Sequence, residues 1–309
     1  FITMIVGMAL VSPTGAVAAI GPVLINVMLK AGFHPGAIGS VLLLGGWGNF
    51  FSVGSGHNAL VAEICGKEVS ILVAENLVPG LIVLVIMTIA CMLLARFMKE
   101  DRGYVAQESL EEVDFSKVNY LKAIMPVLPI ILIMLGIPQV HLLPALSVPQ
   151  AMLICLIVTM ICVRQNPADM VRSFCEGIGV GVRDVVTIIG TATAFTAGME
   201  AIGVTNALIE VMKNSSSIAA IAATFGPLLI GIISGSGDAP TLAFNTSITP
   251  YAAEFGMSAQ GIGSLAFLTA SLGRELSPVS GITVLTAGLV KVSPMELTKR
   301  TLGPGILAC

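Results

Sequence analysis

An all-α polytopic membrane protein built from two copies of one motif is the fold class this sequence predicts, and three observations carry it. Of 309 residues, 55% are hydrophobic and 11% charged, with a mean hydropathy of +0.96, which leaves too little polar surface for a water-soluble chain. Apolar runs near the roughly 20 residues that a helix needs to cross a bilayer recur along it. Two stretches some 224 positions apart also repeat one pattern of helix breakers. The first runs Gly32, Ile38-Gly39-Ser40, Ser52-Val53-Gly54-Ser55-Gly56, Pro79-Gly80, and the second Gly256, Ile262-Gly263-Ser264, Ser277-Pro278-Val279-Ser280-Gly281, Pro304-Gly305. Paired Gly/Pro interruptions of apolar segments point to a binding site at the bilayer midplane, because freed backbone groups are tolerated in hydrocarbon only against protein or a wet cavity.

Taken in chain order, FITMIVGMALVS reads as the inside of a span, so the chain is expected to be N-terminally truncated. Ser12-Pro13-Thr14-Gly15 follows as the tip of a re-entrant hairpin, then the first broken helix. Spans are expected at Leu81–Phe97, Leu121–Val140, Val148–Val163, Val185–Ala201 and Ile218–Ile233. Arg96 to Lys122 holds five basic residues, Arg164 to Arg183 three, and Pro138 to Val148 none, so the first two regions are assigned to the cytoplasmic side. Glu108, Glu111, Glu112 and Asp114 read as a solvated surface in that loop. Ala168 to Val186 reads as a helix lying at the interface. A second tip, Ser234-Gly235-Ser236-Gly237-Asp238-Ala239-Pro240-Thr241, precedes the second broken helix, and TLGPGILAC begins another apolar segment.

Small hydroxyl residues and free amides at half-helix N-termini suit a carboxylate, and carbonyls at the opposite ends suit a cation. Arg274 and Glu275, adjacent just before the second break, are costly at membrane depth. The guanidinium can take a substrate carboxylate, cap a broken helix end or bind Asp238. His57, beside the first break, is a candidate proton-coupling group or a satisfied structural residue; His34 and His141 earn no role. Glu63 and Lys67 read as a helical i,i+4 pair, and Trp47 as a packing or interfacial residue. Six cysteines show no metal or disulfide spacing, and no phosphate-binding loop or zinc motif is present.

SGSGDAPTLAF and SLGRELSPVSGITVLTAGLVKVSPMELTKRTLGP resemble the C-terminal signature of anaerobic C4-dicarboxylate carriers of the DcuC type, and VSPTG with GNFFSVGSGHNA resembles, more loosely, their first half. The resemblance covers most of the chain and is strongest from Ser234 to Pro304. It implies the architecture of the ion-transporter superfamily: two inverted repeats, each with a re-entrant hairpin and a broken helix, moving as an elevator. Residues 1–80 and 234–309 are then the two halves of the transport domain, and 81–233 the scaffold spans with a cytoplasmic loop at 98–120. The implied activity is secondary transport of fumarate, succinate or malate across the bacterial inner membrane by symport or exchange, without cofactor, with Na⁺ or H⁺ as coupling ion, in a homodimer. Carried over residue by residue, Ser12, Thr14, Gly15, Ser234, Ser236, Gly237, Asp238, Arg274, Ser277 and Ser280 are substrate candidates. Asn49, Ser52, Ser55, Asn58 and Gly281 are coupling-ion candidates.

Two positions depart from the family pattern: Asp238 stands where an amide is more usual, and Glu275 where a neutral residue is. A carboxylate at a tip that welcomes a dianion repels it unless protonated or neutralised. Carriers of sugar acids or citrate and cation/proton antiporters share the architecture and stay open as alternatives. Gly235-Ser236-Gly237-Asp238 also fits the GxGD pattern of intramembrane aspartyl proteases, with Asp184 as the one plausible partner. That reading fits poorly, since no tyrosine precedes Asp184 and Pro144-Ala145-Leu146 lies upstream instead of downstream.

Overall fold

The computed structural model describes residues 1–104, 128–136, 148–163, 166–181 and 216–309, with isolated positions in between, and every regular element among them is helical. In chain order these are α1 (Ile2–Leu10), α2 (Pro13–Lys30), α3 (Pro35–Leu44), a 3-10 helix (Gly46–Phe51), α4 (Gly56–Cys65), α5 (Val69–Phe97), α6 (Leu128–Leu135), α7 (Val148–Val163), α8 (Pro167–Gly181), α9 (Ser216–Ser234), α10 (Asp238–Ser247), a second 3-10 helix (Thr249–Phe255), α11 (Ala259–Leu276), α12 (Gly281–Val290) and α13 (Pro294–Leu307).

The sequence repeat is a structural one. Displaced by 224 or 225 positions, α1 and α2 correspond to α9 and to α10 with its 3-10 extension, α3 with its 3-10 helix to α11, α4 to α12, and the start of α5 to α13. The punctuation corresponds too. Val11 and Gly235 both end the first hairpin arm in left-handed conformation, at φ of 58° and 71°. Gly66 and Lys291 do the same after α4 and α12. Ser12 and Ser236 each accept from the backbone amide three residues on, at 3.0 and 3.3 Å, which satisfies orphan donors of a helix start.

The expected apolar runs are helical where they are described, and among the described residues two helices, Pro13–Lys30 and Val69–Phe97, are long and apolar enough to cross a membrane. Val69–Phe97 is one helix of 29 residues that contains the expected Leu81–Phe97 run and exposes Val78, Ile82, Ile89 and Leu93, as a lipid-facing helix does. Val148–Val163 is helical over its expected range, and Ile218–Ile233 lies inside α9. Leu128–Leu135 is the described part of the expected Leu121–Val140 span. The expected span Val185–Ala201, the charged loop from residue 105 and Asp184 lie outside the described residues. The arm after the first tip is no short or broken element: α2 is an 18-residue helix long and apolar enough to cross a membrane, with Pro13 in its first turn and Pro22 inside. Proline at a helix start removes an amide that has no partner there anyway. Pro35–Phe51 and Gly56–Cys65 together make one broken span, bent by 41°. Glu63 and Lys67 do not form the expected helical pair. Gly66 turns the chain out of α4, and Lys67 bonds Glu75 and Gln260, both at 2.6 Å.

Glycines let the hairpin arms lie directly on the helices that precede the breaks. In the first half, α1 crosses the 3-10 helix, and a Cβ on Gly48 would run into the Met4 carbonyl. In the second, α9 crosses α11, and a Cβ on Gly273 would run into the Leu228 carbonyl. Gly7 and Gly231 complete the two crossings from the arm side. Around them Met4, Trp47, Phe50, Phe51, Leu228, Phe267, Leu272 and Leu276 form the largest buried cluster, which joins both halves.

The halves are also tied by polar contacts. Asn76 on α5 donates to Ser264 on α11 at 2.8 Å. Arg300 on α13 lies against Gly36 at the start of α3 and grips Glu100, Nε to Oε2 at 2.9 Å and Nη2 to Oε1 at 2.5 Å.

Two outcomes follow. Gly48→Ala and Gly273→Ala are each expected to lower stability by about 1–3 kcal/mol through overpacking, seen as a lower unfolding temperature in detergent, whereas Gly288→Ala, whose added methyl meets open space on α12, leaves it unchanged or raises it. Arg300→Ala, which strands the mostly buried Glu100 carboxylate, is expected to cost about 3 kcal/mol, against less than about 1 kcal/mol for Lys67→Ala at its exposed pair; equal losses in the same melt would contradict the burial argument.

Candidate functional site

Each half supplies a tip and a break, and in each the two touch. Val11 at the first tip packs on Gly54 in the first break. Gly235 at the second tip lies so close to Val279 and Ser280 of the second break that a Cβ would crowd their backbone. The breaks are built alike. The helix before each one gives way to extended backbone at Ser52 (ψ 127°) and Ser277 (ψ 130°), and the chain resumes helix after Ser55 (ψ 125°) and Ser280 (ψ 145°). Ser52 accepts from the Gly54 amide at 3.3 Å, and Ser277 from the Val279 amide at 3.4 Å.

These turns have one consequence for electrostatics. Four helix N-termini, those of α2 and α10 at the tips and of α4 and α12 at the breaks, start from this region, and each carries partial positive charge and free amides. A carboxylate is favoured there. The carbonyls left over in the first break are partly taken up by Asn58, whose Nδ2 donates to Phe50 O at 2.8 Å and Ser52 O at 2.9 Å.

The expected residues divide into groups. Asn49, Ser52, Ser55 and Asn58 are buried together in the first break, and Ser277 and Ser280 in the second. Ser280 caps α12, with its hydroxyl 2.7 Å from the Thr283 hydroxyl and accepting from the Thr283 amide at 3.3 Å. Gly281 is exposed at the start of that helix. Gly237 lies on Arg274 Nη1 and on the backbone of Ser271. Ser12, Thr14 and Ser234 are exposed, Gly15 is half-buried, and Ser12 and Ser234 spend their hydroxyls on amides of their own tips.

The structure adds two residues to those candidates. His57, at the start of α4, reaches across to the second tip, with Nε2 2.8 Å from Asp238 Oδ1. Its ring packs on Phe267 at 4.8 Å. Glu275 is fully buried, faces Gly46 and Ile282, and has Oε1 3.5 Å from Arg274 Nη2. Arg274 Nη1 stands 3.9 Å from the same Asp238 oxygen that His57 holds. The sequence signal for both was an ionisable side chain beside a break, His57 just after the first and Glu275 two residues before the second.

Unmet hydrogen bonding concentrates here. Among the described residues, the buried side-chain atoms without a partner are Trp47 Nε1, Asn49 Oδ1, His57 Nδ1, Asn58 Oδ1, Ser271 Oγ, Arg274 Nε and Nη2, both Glu275 oxygens and Thr298 Oγ1. All but Thr298 lie on the two pre-break segments or directly after the first break. Buried polar groups left unpaired cost free energy. A set that combines free donors with free acceptors suits an anion and a cation together.

Known proteins agree on what this arrangement belongs to. The family described as "DcuC: C4-dicarboxylate anaerobic carrier" matches residues 1–308. A putative uncharacterized transporter of Haemophilus influenzae is 35% identical, over 83% of this chain and 95% of its own length. The probable anaerobic C4-dicarboxylate transporter DcuC of Vibrio cholerae is 27% identical over 82% of this chain, and DcuC of Escherichia coli K12 is 26% identical over 98%. This chain spans 58% of the Vibrio relative and 68% of the Escherichia one. With a family match from end to end and paired hairpin tips and broken helices in an apolar, all-helical framework, the chain belongs to the DcuC family of anaerobic C4-dicarboxylate carriers and is a membrane transporter, not an enzyme.

Proposed function

We propose that this protein carries a C4-dicarboxylate such as fumarate, succinate or malate across the bacterial inner membrane together with Na⁺ or H⁺, as symporter or exchanger. The observation that carries this reading is the cluster of unpartnered buried donors and acceptors between the breaks. Arg274, the second tip and Ser277–Ser280 take one substrate carboxylate. Ser12, Thr14 and Gly15 at the first tip take the other, from exposed positions that a bound dianion would cover. Asn49, Ser52, Ser55, Asn58 and Gly281 hold the cation. A dianion and a cation that enter together offset each other's charge, which lowers the cost of moving either through a low-dielectric interior.

Under the same proposal the repeats have opposite topology, and residues 1–80 and 234–309 form the moving body of an elevator. The spans within 81–233 that precede the α9 arm form its scaffold, and two copies pair through the scaffold. The recurrence of elements and the ties between halves, among them Asn76 to Ser264 and Arg300 packed against Gly36, support one transport body made from both repeats.

Labelled succinate taken up by proteoliposomes preloaded with fumarate, with and without Na⁺ and proton gradients, tests this directly. Counterflow that malate blocks and citrate and gluconate do not is the expected result. Silence with succinate alongside flux of another anion or a cation would move the protein to a different substrate within the same architecture. Arg274→Lys keeps the charge but loses the planar two-donor fork, and is expected to weaken succinate binding by about 1.5–3 kcal/mol, read as a Kd raised tenfold or more with no change in melting temperature.

A further inference from the structure

The repeat makes one asymmetry visible. The equivalents of Asp238, Arg274 and His57 in the other half are Thr14, Asn49 and Ile282, so the charged triad has no counterpart across the site. It also spans the halves: His57 follows the first break, whereas Asp238 and Arg274 belong to the second tip and the second pre-break helix. Asp238 Oδ1 thus faces two basic groups, one from each half.

Arg274 is one guanidinium between two carboxylates, Asp238 at 3.9 Å and Glu275 at 3.5 Å. Lys67 and Glu75, on the connection and helix that follow α4, pair with each other, and Glu63 is the remaining charged side chain of α4. A dicarboxylate that entered this set would meet the Asp238 carboxylate beside the guanidinium. Glu275 cannot withdraw, because it is fully buried beneath Gly46 and Ile282. Asp238 can: its side chain is half exposed, and it stands on a tip that turns at Gly235 and Gly237. Its Oδ1 faces both Arg274 and His57, and is nearer His57 by more than 1 Å.

We propose that Asp238 is a tethered competitor for Arg274, and that His57 is the positioning residue that holds its carboxylate at 2.8 Å, 3.9 Å off the guanidinium, which leaves Arg274 open to a substrate carboxylate. This rests on the reading that Arg274 receives a substrate carboxylate. An intramolecular competitor held this close sets a threshold that weakly bound monocarboxylates do not pass. His57 acts only through Asp238 and touches no substrate.

The test is a double-mutant cycle on the purified carrier, with succinate affinity as one readout and phenylglyoxal labelling of Arg274 in the empty protein, followed by peptide mass, as the other. Asp238→Asn is expected to bind succinate about tenfold tighter or more, since it removes a like charge near the ligand, to admit propionate, and to label faster at Arg274. His57→Gln is expected to bind more weakly and to label more slowly. The double variant is expected to match Asp238→Asn, since His57 has no carboxylate left to hold. An unchanged labelling rate in Asp238→Asn overturns the proposal whatever the substrate, as does succinate affinity that falls in this variant or a double variant that keeps the His57→Gln loss. The expected labelling pattern with no succinate binding in any variant would refute the C4-dicarboxylate reading and leave the tethered carboxylate standing. Asp238→Ser, judged by the same criteria, replaces Asp238→Asn should the latter elute as aggregate.

Discussion

Backbone against backbone at two glycine crossings is the constraint from which the rest of this structure follows. Where two apolar helices turn at a tip away from water, each unpaired amide or carbonyl costs several kcal/mol, so the tip must meet a partner that is equally unfinished. The broken helix is that partner. Gly48 beneath Met4 and Gly273 beneath Leu228 bring the hairpin arm close enough for Val11 to reach Gly54 and for Gly235 to reach Ser280. Any side chain at those glycines would lift tip and break apart together, and the site would open to lipid.

Once the tips are seated, the site's electrostatics follow from helix geometry. Four helices begin at the tips and breaks, and their N-termini favour negative charge before any ionised residue is counted. Arg274 adds a positive charge, and the carboxyl groups of Asp238 and Glu275 stand 3.9 and 3.5 Å from it. The side-chain oxygens of Asn49, Asn58 and Glu275 lack hydrogen-bond partners, and Asp238 is half exposed. Aromatic packing by Trp47, Phe50, Phe51 and Phe267 closes the apolar side. It forces these polar groups to look toward one another and not toward solvent.

Much of this was legible in the chain. The Gly, Ser and Pro pattern located both breaks to the residue, because serine and glycine are where a helix can stop without a steric penalty, and Ser52, Ser55, Ser277 and Ser280 all stand at the turns expected of them. Other features were misread for definite reasons. The arm after the first tip is an 18-residue helix that takes Pro13 where a helix start has no amide partner to lose and absorbs Pro22 inside. Glu63 and Lys67 have helical spacing, but Gly66 leaves the helix between them. His57 and Glu275 stood out as ionisable residues beside a break, but their partners did not, because a single ionisable residue looks alike in sequence whether it packs inertly or faces a partner 181 residues away.

The sequence by itself determined the membrane setting, the duplication and the position of each interruption. All three are local properties: hydropathy over the length of a span, and the backbone freedom of particular glycines and prolines. Only the tertiary structure decided which interruptions meet. That pairing depends on close approach between segments far apart in the chain, and it gave Asp238 to His57, Arg274 to both carboxylates, and Arg300 to Glu100. The charge balance of the site, and with it the way the carrier can accept an anion, exists only after those segments have come together.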